Sequence, residues 1–192
     1  MEKLILQMAQ KITASTEQQT EKQQVIFLVN AYDTITTSFA GNNVPDNIDR
    51  KQFQQLLNEQ VSRYADLELN ECFAKLLTFV KQSEPLVNKA IAHTANRSRA
   101  NTVEMEAAAK DFDKNWKDGL AHIHANLTRN FPNLRTGMYI MRISCTKLLE
   151  AYSRYSAIVY ACYPNPPFRA NMISDQKLFF EIKRYLKDFS SE

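Results

Sequence analysis

Apolar positions along this chain recur mostly at steps of three and four, the spacing of one face of an α-helix. The stripe is plainest near the C-terminus. There Leu134, Met138, Met141, Cys145, Leu148, Tyr152, Tyr155, Val159 and Cys162 follow one another at alternating steps of four and three. That is a heptad-like seam over four repeats. At about 1.5 Å per residue it predicts a rod of roughly 45 Å.

The other elements are read from where the periodicity breaks, which is where proline and glycine stand. A first helix is predicted over Glu2 to Phe39, with Leu4, Met8 and Ile12 before a polar middle and Ile26, Phe27, Val29 and Ile35 after it. It stops at the loop signal Ala40-Gly41-Asn42-Asn43-Val44-Pro45. A second helix opens at Asp49, with Gln52 three residues on as in a capping box, and carries Phe53, Leu56, Leu57, Val61, Tyr64 and Leu67. Its stripe resumes with Phe73, Leu76, Leu77 and Val80 after an irregularity near Asn70. Ser83-Glu84-Pro85 reads as a new start, because proline suits a first turn, and it leads into Leu86, Val87, Ala90 and Ile91. His93 to Thr102 is polar and reads as either helix or break, and Asn101 with Glu104 suits a restart. The seam Met105, Ala109, Phe112, Trp116, Leu120, Ile123 and Leu127 then runs to Phe131-Pro132. Tyr163-Pro164 ends the regular helix described above, and a last helix is expected to be capped by Asn165, to start at Pro166 and to bury Leu178, Ile182, Tyr185 and Phe189. The expected fold is all-α: one domain over residues 1–192, an elongated antiparallel bundle of about five long helices.

Composition sharpens this picture at one point. The whole chain has three glycines, too few for the tight turns of an all-β fold and too few for a phosphate-cradling loop. The net charge of +3 is small, but it is unevenly spread. Residues 129–192 hold 10 basic and 5 acidic side chains, and residues 1–128 hold 14 and 16. A basic C-terminal third favours acidic or phosphate-rich partners, against the plainer reading of a solvated helix face. Cys72, Cys145 and Cys162 are odd in number, lie among apolar positions and suit a reducing compartment. No run approaches the roughly 18 apolar residues of a spanning helix, and no secretory leader is evident. A soluble, cytosolic chain is expected, reaching membranes peripherally through partners.

Chemistry is sparse. No P-loop, GxGxxG, HExxH or GxSxG is present. His122 and His124 are two apart and point apart on a helix. A metal there needs distant ligands, so no metal is expected. Glu104/Glu106 and Asp111/Asp113 are split across faces in the same way, and no other cofactor is expected. Trp116 lies in register with Phe112 and Leu120, which makes it a core anchor before it is a hot spot. Tyr152 and Tyr155 lie on the seam. Arg135, Tyr139, Arg142, Arg154 and Tyr160 lie off it, and that mixture of arginine and tyrosine makes them the candidate partner-binding residues.

Several segments carry more than periodicity. These are Phe27-Leu28-Val29-Asn30-Ala31-Tyr32-Asp33, Phe53-Gln54-Gln55-Leu56-Leu57-Asn58, Leu77-Thr78-Phe79-Val80-Lys81 and Trp116-Lys117. Asn130-Phe131-Pro132-Asn133-Leu134-Arg135-Thr136-Gly137 and Leu148-Leu149-Glu150-Ala151-Tyr152-Ser153-Arg154-Tyr155 complete the set. In this order and spacing the chain resembles the C-terminal region of the fifty-two subunit (vacuolar protein sorting family) of the Golgi-associated retrograde protein and endosomal recycling complexes. The resemblance covers nearly the whole chain. It departs in lacking the family's long N-terminal coiled coil, so a C-terminal fragment of a longer subunit is expected, and in carrying Leu134 where the family pattern has an aromatic.

What the resemblance implies is a non-catalytic interaction module of a vesicle tether, working in endosome-to-Golgi retrograde transport on the cytosolic face of the trans-Golgi network and endosomes. The implied partners are other tethering subunits, Rab-type GTPases and SNAREs, with no nucleic acid. The rival reading, from charge alone, is a helical module that binds RNA or anionic lipid through its basic C-terminal third.

Overall fold

The computed structural model describes residues 20–41, 48–92 and 102–188. Among them are five α-helices and one 3₁₀ turn, and no strand. The helices are α1 (Glu21–Gly41), α2 (Ile48–Ala92), α3 (Thr102–Asn130), α4 (Leu134–Cys162) and α5 (Asp175–Asp188), with the 3₁₀ turn at Arg169–Asn171 before α5. The fold is an all-α bundle, as the periodicity predicts. The first half of the predicted N-terminal helix, the loop after Gly41, the stretch His93 to Asn101 and Phe189 lie outside the described residues.

The pairing directions follow from side-chain contacts. Tyr32 meets Phe53, and Arg63 meets Glu21, so α1 and α2 run antiparallel. Lys75 pairs with Asp111, while Asn126 bonds Glu68, so α2 and α3 are antiparallel as well. Tyr155 near the end of α4 donates to the Met105 carbonyl near the start of α3 at 2.8 Å, which reverses the chain again. α2 and α4 therefore lie side by side and parallel, and α2 is the central helix, packed on α1, α3 and α4.

The core is one continuous cluster. The predicted seams supply most of it: Tyr64, Phe73 and Leu76 from α2, Met105, Phe112, Trp116, Leu120 and Ile123 from α3, and Met141, Leu148, Tyr152 and Tyr155 from α4 are all buried. Leu69, off the predicted stripe, is buried where Leu67 is only half-buried, and Leu134, the first residue of the predicted α4 seam, is 40% exposed. Trp116 is a core residue, as its register predicts. Phe112 stacks on Tyr152 with ring centroids 4.8 Å apart, and Phe79 meets Tyr155 edge-on at 5.6 Å. At about 1.5–3 kcal/mol per large apolar side chain, burial at this seam is the main favourable term.

Three boundaries differ from the sequence reading. The irregularity expected near Asn70 falls at Phe73, whose φ of −131° and ψ of 29° kink α2. The helix start predicted at Ser83 does not occur: α2 runs on through Pro85. Ser83 is buried against the bundle rather than free to begin a helix, and packing overrides the local signal. The last helix starts at Asp175, not at Pro166. Pro166 precedes another proline, which disfavours its helical conformation, and Phe168 turns into the core instead. Ser174 takes the capping role, its hydroxyl accepting from the Lys177 amide at 3.3 Å. Leu178, Ile182 and Tyr185 are buried as expected.

Candidate functional site

Two features stand apart from ordinary core packing: a polar network threaded through the bundle and the outer face of α4.

The network begins at Glu68, which is 0% exposed on α2. A carboxylate in that position must be paired and hydrogen-bonded to remain charged. Lys22 of α1 places its ammonium 2.9 Å from Glu68 and 2.5 Å from Glu71, bridging both. The Asn126 amide of α3 donates to the two Glu68 oxygens at 3.2 and 3.0 Å. The same amide nitrogen lies 3.0 Å from His122 Nε2, which is 3.4 Å from Glu71. Burial opposes the charge on Lys22, but the hydrogen bonds it donates to Glu71 and Glu68 outweigh it and raise its pKa. The Lys22 hydrogen bond in turn holds the Glu71 carboxyl below its ordinary value. Burial, reinforced by Glu68, raises the Tyr64 hydroxyl.

The donor atoms of Glu68, Cys72 and His122 lie within 4.8 Å of one another. These are the distant ligands that His122 lacked in sequence, and the i, i+4 spacing of Glu68 and Cys72 was the signal for them. The set is already served by a cation, because the Lys22 ammonium sits on both carboxylates and Asn126 occupies the facing lone pairs. Burial pushes the Cys72 thiol up to about 11 and the Cys145 thiol up to about 12, far from the thiolate a ligand or nucleophile requires. The arrangement is a closed ion network joining α1, α2 and α3. His124 points elsewhere, its ring 5.5 Å from that of Tyr185 on α5.

The network continues to the bundle end. Asn130 donates to the Tyr64 hydroxyl at 3.2 Å, and its carbonyl, left open at the C-terminus of α3, accepts from the Asn30 amide at 3.0 Å. Asn133 caps α4 by accepting from the Arg135 amide, and its side chain donates to Asp33 at 2.8 Å. Thr136 donates to the other Asp33 oxygen at 2.7 Å. A carboxylate from α1 thus faces the positive end of the α4 dipole. The segments Phe27–Asp33 and Asn130–Gly137, far apart in sequence, meet here side by side.

The five candidate residues all reach solvent. Arg135, Tyr139, Arg142 and Tyr160 share one outward stripe of α4, and Arg154 sits roughly 100° round from Arg135. Tyr139 is 37% and Tyr160 45% exposed. Beside Tyr139 a groove of about 310 Å³ runs between α2 and α4, lined by Asn58, Ser62, Ile143, Thr146 and Lys147 among others. Lys147 spans it, bonding Ser62 and pairing with Asp66 at 2.6 Å. Arg154 is held by the Glu84 carboxylate, whose own pKa is lowered by that bond. Arg154 is therefore engaged within the chain.

Comparison with known proteins brings the ordered segments into focus. A family model described as Vps52, C-terminal, matches residues 1–65. The human vacuolar protein sorting-associated protein 52 homologue is 26% identical over 179 residues, covering 93% of this chain and 24% of its own length. The Arabidopsis thaliana protein 52 A is 28% identical over 170 residues, or 88% of this chain and 23% of its own. The Caenorhabditis elegans homologue is 22% identical over 178 residues, or 89% and 24%. The chain resembles the C-terminal region of Vps52. It spans about a quarter of the length of these relatives. No solved structure matches it. Among the described residues, no helix is long and apolar enough to cross a membrane.

Proposed function

We propose that this chain is a non-catalytic docking module of a vesicle-tethering complex that acts between endosomes and the trans-Golgi network. The observation that carries this reading is the likeness to Vps52 homologues along about nine-tenths of the chain. The bundle suits the task physically. α4 alone extends for 29 residues, or roughly 44 Å, and offers a long solvent face on a rigid core. The polar network supports a structural role over a catalytic one, because its carboxylates and histidine are committed to one another.

The docking surface in this reading is the stripe of Arg135, Tyr139, Arg142 and Tyr160, with Arg154 at its flank. Arginine and tyrosine are enriched at protein interfaces, where a large flat side chain is ordered at low entropic cost. Its partners would be other tethering subunits, a Rab-type GTPase or SNAREs, and membrane association would follow through them. The test is capture of cytosolic proteins by the wild-type chain and by an Arg135→Glu, Arg142→Glu, Arg154→Glu variant, with mass spectrometry of each. Recovery of trafficking partners by the wild type and their loss in the variant supports the reading. Recovery of none by either chain removes it.

A further inference from the structure

α5 has two faces of opposite character. Leu178, Ile182 and Tyr185 are buried against the bundle. On the other side Phe180 is 75% and Phe179 49% exposed, an unusual pair of neighbouring phenylalanines left in water. Lys177, Lys183 and Lys187 are exposed around them. Phe180, Lys183 and Lys187 follow at steps of three and four and so stack on one outward stripe, while Phe179 and Lys183 are four apart. The Lys183 ammonium sits 4.6 Å from the centre of the Phe179 ring, so charge and ring share one patch. Glu181, the acidic residue inside this segment, is turned inward and buried, where Arg184 pairs with it at 2.5 Å.

We infer that the outward face of α5 is a contact surface for a bilayer containing anionic lipid. The proposal rests on the match of two chemistries on one ridge. Exposed aromatic side chains enter the headgroup boundary, and lysines beside them meet the negative leaflet. Each basic group held near such a surface strengthens binding by about five-fold, and salt screens the gain. Shape favours a bilayer over an acidic peptide. Among the described residues, a ring 75% exposed like Phe180 has little protein around it to grip a peptide, and the groove beside Tyr139 lies between other helices. The ridge is also held firmly. The Tyr152 hydroxyl donates to the Ile173 carbonyl at 2.7 Å just before α5, and His124 packs on Tyr185. The surface is separate from the α4 stripe, so this inference stands or falls independently of the docking reading.

The experiment is co-sedimentation of the full chain with vesicles of phosphatidylcholine containing phosphatidylserine, and of phosphatidylcholine alone, at low and high salt. The wild type is expected to sediment with the anionic vesicles only, and to be released by salt. Phe179→Ser with Phe180→Ser should weaken binding at least ten-fold, as should Lys177→Glu, Lys183→Glu and Lys187→Glu together. The Arg135→Glu, Arg142→Glu variant should bind as the wild type does. All these positions are exposed, and circular dichroism of each variant is the control for folding. Absence of binding to anionic vesicles overturns the inference, as does binding indifferent to both α5 variants. Capture of polyglutamate through α5 with no vesicle binding would assign the face to an acidic protein partner instead.

Discussion

Asp33 and Thr136 are joined by a 2.7 Å hydrogen bond across 103 residues of sequence, and this bond fixes α1 against the first turn of α4. The same carboxylate takes the Asn133 amide at 2.8 Å, so one side chain serves the cap residue and the first turn together. Asp33→Ala leaves two partly buried donors without their acceptor. At about 1–3 kcal/mol for such a loss, urea denaturation should show a clear drop in midpoint. Asp33→Asn keeps one acceptor and should recover part of it. Equal stability of Asp33→Ala and wild type would mean that water replaces the carboxylate and that the lock is unimportant.

Gly119 is required by the kink in α2. A Cβ at that position would lie 2.6 Å from Cζ and 2.8 Å from Cε1 of Phe73, with Cys72 Cβ at 3.3 Å. Phe73 is 2% exposed and packs on Phe112 at 5.5 Å, so its ring has little room to retreat. Alanine gains about 1 kcal/mol of helix propensity over glycine, but overpacking of a filled core costs roughly 1–3 kcal/mol. Gly119→Ala should therefore lower the melting temperature, and adding Phe73→Leu should return part of the loss. A higher melting temperature for Gly119→Ala would show that the α2–α3 contact is looser than these distances state.

Lys22 makes stability depend on pH in a defined way. The Glu71 pKa is lowered from its ordinary 4.5, so the stabilisation it reports is present above that value and is lost as pH falls through the folded value. The Lys22 pKa is raised from 10.5, so its contribution is present below 10.5 and is lost as pH rises through the folded value. Lys22→Met removes the cation and leaves the buried Glu68 with the neutral partners Asn126 and Tyr64. Removing one partner of a buried pair costs roughly 3–5 kcal/mol. Lys22 is 29% exposed, so the lower end of that range is expected. The variant's urea midpoint should also fall less steeply than the wild type's below pH 4.5. Parallel acid limbs for the two proteins would remove Lys22 from the account.

Much of the bundle was legible because a heptad-like stripe states both the element and its buried face. From Leu134 to Cys162 the periodicity gave the helix boundaries, the buried Tyr152 and Tyr155, and the exposed positions of Arg135, Tyr139, Arg142, Arg154 and Tyr160. Local signals misled where packing opposed them. Ser83-Glu84-Pro85 carries the chemistry of a helix start, yet α2 passes through it because its neighbours bury Ser83 and hold Glu84. Pro166 looked like a first helical residue, and the second proline beside it prevented that. The ion network was the least legible part. Glu68, Lys22, Asn126 and His122 belong to three helices, and pairing among distant residues leaves no mark in a one-dimensional pattern beyond a carboxylate on an otherwise apolar stripe. Phe179 and Phe180 lie off the predicted stripe of Leu178, Ile182 and Tyr185, so the periodicity already places them outward, and the docked helix gives how far each ring is exposed.

Tyr152 links the two surfaces on which function is proposed. It lies in the α4 seam, 2% exposed, stacked on Phe112, and its hydroxyl reaches the Ile173 carbonyl at the entrance to α5. Ile173 is itself buried, so water cannot readily take over that carbonyl. Tyr152→Phe keeps the ring and removes only the donor, which leaves a buried acceptor unpaired at about 1–3 kcal/mol. The loss should be local, because the seam of α4 is unchanged while the segment leading into α5 loses its tie. Hydrogen exchange should accelerate in α5 and in residues 169–174, with α2 and the first half of α4 little affected. Vesicle binding through Phe179 and Phe180 should weaken with it, since a loosened α5 no longer holds both rings outward on one rigid ridge. Uniformly faster exchange across all the helices would instead make this bond part of the global core, and α5 would then not be a separately anchored element.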